Sequence, residues 1–91
     1  MGRKSIARKI ERGEYHVTRH AYDQMVARDI YIRQVHDAIL NGRVVGKWEE
    51  RGGVKLAIIG PRFNGDFLKV VVKDLEVPKV ITVCYPYEEV D

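Results

Sequence analysis

The stretch Arg43-Val-Val-Gly-Lys-Trp-Glu-Glu-Arg-Gly-Gly-Val-Lys-Leu-Ala-Ile-Ile-Gly60 decides the fold. Its two halves, 43–51 and 54–60, flank Gly52-Gly53, a dipeptide suited to a two-residue hairpin turn. Two further strands are expected downstream, at 66–74 after the Pro61–Gly65 loop and at 79–85 after Pro78. In the last of these Val80, Ile81 and Val83 surround Thr82, so both faces are apolar. Such a strand belongs in the interior of a sheet. Short consecutive connections favour antiparallel pairing.

Upstream of Gly42 the pattern is helical. A first helix is expected over 3–13, capped by Ser5 and stopped by Gly13. A short extended piece, 15–18, leads to Thr18, which can cap a second helix over 19–28 with Asp29 at its end. Ile32, Val35, Ile39 and Leu40 mark a third helix over 32–41, closed by Asn41-Gly42. Tyr31 stands at its cap position without a suitable side-chain oxygen, although Gln34 occupies the capping-box site. The expected architecture is α+β: a helical half (1–42) packed on a four-stranded, mainly antiparallel sheet (43–86), with an acidic tail (87–91).

Ninety-one residues suit one domain, burying about 60–65% of its unfolded surface. Charged residues make up 32% and apolar residues 45% of the chain, a composition that folds. The net charge of +3 is unevenly placed: residues 1–33 hold eight Lys/Arg against four Asp/Glu, and residues 34–91 eight against nine. A basic N-terminal half fits a phosphate-rich partner; an ordinary solvated helix face accounts for the same charges. Cys84 is the sole cysteine and cannot form an internal disulfide, which points to a reducing cytoplasm. No stretch approaches the ~20 apolar residues of a membrane span. His16, His20, His36 and Cys84 show no zinc-ligand spacing, so no metal or cofactor is expected.

The most function-like feature is on the second helix. His20, Gln24 and Arg28 are spaced four and four. They drift only about 80° around the axis and form one polar stripe. A histidine exchanges protons near neutral pH, and an arginine can grip a phosphate through its fork of donors. Together these are tools for phosphodiester cleavage. The same spacing describes a solvated face whose members never share a substrate.

The stretch Thr18-Arg-His-Ala-Tyr-Asp-Gln-Met-Val-Ala-Arg-Asp-Ile30 resembles the opening motif, Thr-x-His-Ala followed by Arg-Gly-Ile, of a small prokaryotic family of unknown function. That family closes on a strand similar to Ile81-Thr82-Val83-Cys84-Tyr85. It looks related in turn to the RelE-like and BrnT-like toxins. The resemblance implies a RelE-like fold and a metal-independent ribonuclease. It nominates His20, Arg28 and Thr82 as catalytic, with Tyr85 closing the strand. Gln24 stands where many relatives carry arginine, and Asp29 where they carry glycine.

On this reading His20 acts as general acid or base, Arg28 stabilises charge on the phosphate and Thr82 orients the group. All three should converge in one cleft. Arg3, Lys4, Arg8, Lys9 and Arg12 of the first helix would hold the RNA backbone, with Lys69 and Lys73 adding positive potential. The partners are RNA, in the setting of the ribosome, and an antitoxin protein. The alternatives are a non-catalytic RNA-binding or protein-interaction module, and a homodimer formed through the hairpin edge or Trp48.

Overall fold

Thr18 begins the part of the fold on which everything else is hung. In the computed structural model, which describes residues 2–62 and 65–88, its side chain bonds in two directions. The hydroxyl accepts from the Ala21 amide at 3.1 Å, capping a helix. It also donates to the Ile81 carbonyl at 3.2 Å, pinning that helix to the last strand of the sheet.

The elements in chain order are α1 (Arg3–Glu11), β1 (His16–Val17), α2 (Arg19–Arg28), α3 (Ile32–Asn41), β2 (Arg43–Glu50), β3 (Gly53–Pro61), β4 (Phe67–Asp74) and β5 (Lys79–Cys84). The fold is α+β with three helices, but the sheet has five strands, in the order β1-β5-β4-β3-β2. The four-stranded expectation omitted β1. His16 and Val17 pair in parallel with Lys79 and Val80, so the sheet is mixed. Two residues carry no readable periodicity, and their partner lies more than 60 positions away. The other pairs are antiparallel. β5 lies between β1 and β4, but β1 pairs only with Lys79 and Val80, so the interior position expected of this strand holds over those two residues alone.

Several boundaries differ from expectation for local reasons. Ser5 lies inside α1, whose cap is Gly2. The hairpin turn is Arg51-Gly52, with Gly53 already paired to Glu50. Gly52 alone in that turn pair has a positive φ, +88°, as the second turn position of a type II turn requires. Gly42 is extended rather than left-handed, so it does not close α3 as a left-handed cap. It and Gly60 are needed for another reason: a Cβ on either would collide with the Ala38 carbonyl where α3 lies on β3. At the start of α3 the Gln34 side chain accepts from the Tyr31 amide at 3.1 Å. Half of a capping box therefore forms without a cap hydroxyl.

The helices bury one face of the sheet. Ile6, Ala7 and Ile10 of α1, Ala21 and Met25 of α2, and Val35, Ala38 and Ile39 of α3 meet Leu56, Ile58, Leu68, Val70, Val72, Val80 and Val83. Among the described residues the helical core packs on this face alone; on the opposite face only the start of α2, at His20, reaches the border. Alternation places Lys55 and Ala57 of β3, and Lys69, Val71 and Lys73 of β4, on that open side.

Two β-bulges then decide which residues join them. Val45 is the extra residue in β2, and Ile81 the extra residue in β5. Beyond each bulge the alternation changes phase. Trp48 thereby aligns with Lys55, and Thr82 with Val71. Both turn to that side of the sheet, Trp48 about half exposed and Thr82 buried.

Candidate functional site

α2 runs along the edge of β5 that β1 leaves unpaired. Four residues of helix rise about 6 Å and two residues of strand about 6.6 Å. The stripe His20, Gln24, Arg28 therefore stays in step with the strand beside it. At its middle, the buried Gln24 Oε1 accepts from the Val83 amide at 2.9 Å. Gln24 does for this edge what a neighbouring strand would do.

At the N-terminal end of the stripe, His20 is exposed on the first turn of α2. It lines a concavity of about 560 Å³ on the open face. The floor is Lys69, Val71, Ile81 and Thr82, and the far wall is Trp48, Glu49, Glu50 and Lys55. The first motif now has a local explanation. Thr18 pins the helix to Ile81, Ala21 is small enough to be fully buried, and His20 between them is carried to the side of Thr82. Residues 17–85 match the family described as Domain of unknown function (DUF4258). The chain belongs to this family. No curated protein and no solved structure matches it.

The DUF4258 concavity has an uneven electrostatic lining. Glu50 holds Lys55 at 3.1 Å and reaches Lys73 at 4.0 Å. Lys73 also donates to the Arg51 carbonyl at 3.2 Å. Among the described residues, no carboxylate lies within 4.0 Å of the Lys69 ammonium. The positive end of the concavity is thus the end where His20 and Thr82 lie. Trp48 lies across Gly46, where a Cβ would meet its ring at 2.8 Å. Its indole is about half exposed, with the Lys55 ammonium 5.8 Å from the ring centroid. Trp48, Lys55, Glu49 and Glu50 were not among the site residues nominated from sequence. Only the tertiary register brings β2 and α2 to opposite sides of one hollow.

Arg28 does not converge with His20 and Thr82. It lies two helical turns, about 12 Å, along the axis from His20, and its guanidinium is engaged. Glu88 receives Nη2 at 2.6 Å and Nε at 2.9 and 3.0 Å. The same carboxylate accepts from the Tyr85 amide at 2.6 Å. Hydrogen bonding from Arg28, then from the Tyr85 amide, lowers the Glu88 carboxyl below its ordinary range. Hydrogen bonding to Glu88 in turn raises Arg28 above its ordinary value. Tyr85 is occupied as well: Arg62 donates to its hydroxyl at 2.7 Å and to the Asp29 carbonyl at 3.1 Å. Its ring stacks on Tyr87 at 5.5 Å. Arg28 and Tyr85 belong to one cluster at the end of β5, not to the concavity. The remaining acidic tail, 89–91, lies outside the described residues.

The basic helix is also displaced from the concavity. α1 packs in the helical layer, on the other side of the sheet. Arg3 donates to the carbonyls of Ile39 and Leu40, and Lys9 to that of Glu76 at 2.9 Å. Lys4, Arg8 and Arg12 are exposed, and none of them lines the concavity. α1 contributes no residue to the lining of the concavity. Cys84 is fully buried, paired with Lys69 across the sheet, and burial pushes its thiol upward, with Glu88 adding to the effect. It is a packing residue rather than a nucleophile. Among the described residues no group of three His, Cys, Asp or Glu gathers, and no helix is long and apolar enough to cross a membrane.

Proposed function

We propose that the open-face concavity binds single-stranded RNA and cleaves it by acid–base chemistry, as a RelE-like ribonuclease would, without a metal ion. The observation that supports this reading is that His20, Thr82 and Lys69 line one hollow, with Trp48 across from them. In the proposed reaction a ribose 2′-hydroxyl attacks the adjacent phosphorus. His20 takes the hydroxyl proton, a P–O bond forms to the 2′ oxygen, and the bond to the 5′ oxygen breaks. The products are a 2′,3′-cyclic phosphate and a 5′-hydroxyl, the latter protonated by solvent or by His20 in its charged form. Lys69 stabilises the negative charge that gathers on the phosphate oxygens. Thr82 donates a hydrogen bond to the same oxygens, and Trp48 offers a ring on which a base can stack. Arg28, placed in this role by the family resemblance, gives it up to Lys69.

A second reading is a non-catalytic module for RNA or a protein such as an antitoxin. It is favoured by the pairing of Lys55 with Glu50, which neutralises a lysine lining the concavity. One experiment separates the two. A short RNA is incubated with the full chain in a metal chelator, alongside the same RNA with 2′-deoxyribose throughout. The catalytic reading expects cleavage of the ribose strand alone, reduced about a hundredfold or more in His20→Ala with the melting temperature unchanged. Salt-sensitive binding with no turnover would support the binding module. Cleavage indifferent to His20→Ala would remove His20 from the mechanism.

A further inference from the structure

The Arg28–Glu88 pair differs from an ordinary surface ion pair in its geometry. Three donors converge on one carboxylate: Arg28 Nε and Nη2 from α2, and the Tyr85 amide just past β5. The two groups come from elements that the fold holds rigidly together. Gln24, one turn before Arg28, is bonded to Val83, two residues before Tyr85. A guanidinium fork plus a backbone N–H, fixed on a rigid frame, is the donor set that proteins use for phosphate oxygens. The carboxylate that fills it is delivered by the chain segment following β5, which turns back through the Glu88 amide to the Tyr85 carbonyl at 3.0 Å.

The geometry points to a phosphate subsite formed by Arg28 and the Tyr85 amide, which Glu88 fills in place of the ligand. Its ligand is a phosphate group, either the backbone phosphate of an RNA strand or a free phosphate. The RNA form of the inference rests on the proposed function; the subsite itself does not. A strand seated with one phosphate between His20 and Lys69 would run along the stripe and reach Arg28 with a phosphate further on. To do so it must displace Glu88. The segment after β5 thus acts as a stopper that competes with the strand, and Arg28 positions and holds RNA without touching the reacting atoms.

The test uses the full chain in a His20→Ala background, so that any RNA remains intact. Glu88→Ala empties the cradle. Glu88→Gln removes the charge, keeps the side-chain shape and serves if the first variant folds poorly. Binding of a fluorescent oligouridylate is followed by anisotropy, and binding of inorganic phosphate by the NMR shifts of Arg28 Nε–H and the Tyr85 amide. Both ligands should bind about tenfold tighter once the competing carboxylate is gone, a difference of about 1.4 kcal/mol. The gain should vanish when Arg28→Gln is added. It should not appear in Glu76→Gln, which removes an equal charge elsewhere. A gain for phosphate without one for RNA would confirm the subsite and count against the RNA reading. No gain for either ligand, a gain that survives Arg28→Gln, or an equal gain in Glu76→Gln would overturn the proposal.

Discussion

Gln24 shows how a residue's neighbours redefine its role. On the helix it is one third of a polar stripe. In the fold its carbonyl oxygen is the acceptor for the Val83 amide at the uncovered edge of β5. Removing it leaves that amide buried without a partner, because the helix still lies over it. Gln24→Ala should cost about 1–3 kcal/mol, read as a lower urea midpoint with an unchanged slope. A loss below a few tenths of a kcal/mol would mean that water reaches Val83 and that the bond is dispensable. Thr82 is the complementary case. Its hydroxyl was legible in the closing motif; its facing was not. One extra residue, Ile81, turns it from the apolar side to the open side.

At the level of elements, α2 is held by its ends and middle rather than by a strong apolar face. Thr18 serves both the helix cap and the bond to Ile81. Thr18→Ala removes both and should destabilise the fold by about 2 kcal/mol, at the upper end of the range for caps. Thr18→Ser keeps the hydroxyl and should recover most of that loss. If the proposed chemistry holds, Thr18→Ala should also lower RNA cleavage more than it lowers the folded fraction, because His20 is then no longer held beside Thr82. Equal losses in stability and rate would reduce Thr18 to a purely structural residue. The hairpin β2–β3 was evident from its glycines, yet its bulge at Val45 was not. A bulge leaves no fixed mark in composition, since any residue can be the extra one.

Across the whole molecule, the Arg28–Glu88 tie joins the C-terminal segment to the helical half. Both side chains are about 25% exposed, so the pair should contribute about 1 kcal/mol at neutral pH. Its pH dependence has a definite sign. The folded-state pKa of Glu88 is lowered, so its contribution is complete above the ordinary glutamate value of about 4.3. It is lost as pH falls through that value and the lower folded one. Wild type should therefore melt a few degrees above Glu88→Gln at pH 7, and the gap should narrow as pH falls below the ordinary glutamate value. A gap that stays constant with pH would show that ionisation of Glu88 does not stabilise the fold.

The fold was legible in the sequence wherever a signal is local. Helices α2 and α3 follow from Thr18 and the spacing of Val35 and Ile39; the burial of β5 follows from its apolar run. These depend on contacts within a few residues or on composition alone. Candidate chemistry was legible as residue types, His20 and Thr82 among them. Tertiary structure alone decided the pairing of β1 with β5, the phase of β2 and β5 after their bulges, and the separation of Arg28 from His20. The physical reason is the same in each case. A backbone hydrogen bond to a distant strand, or a carboxylate arriving 60 residues later in the chain, leaves no periodic trace where its partner lies. The stripe His20, Gln24, Arg28 is continuous on the helix, but the sheet beside it assigns its three members to a concavity, an edge and a carboxylate.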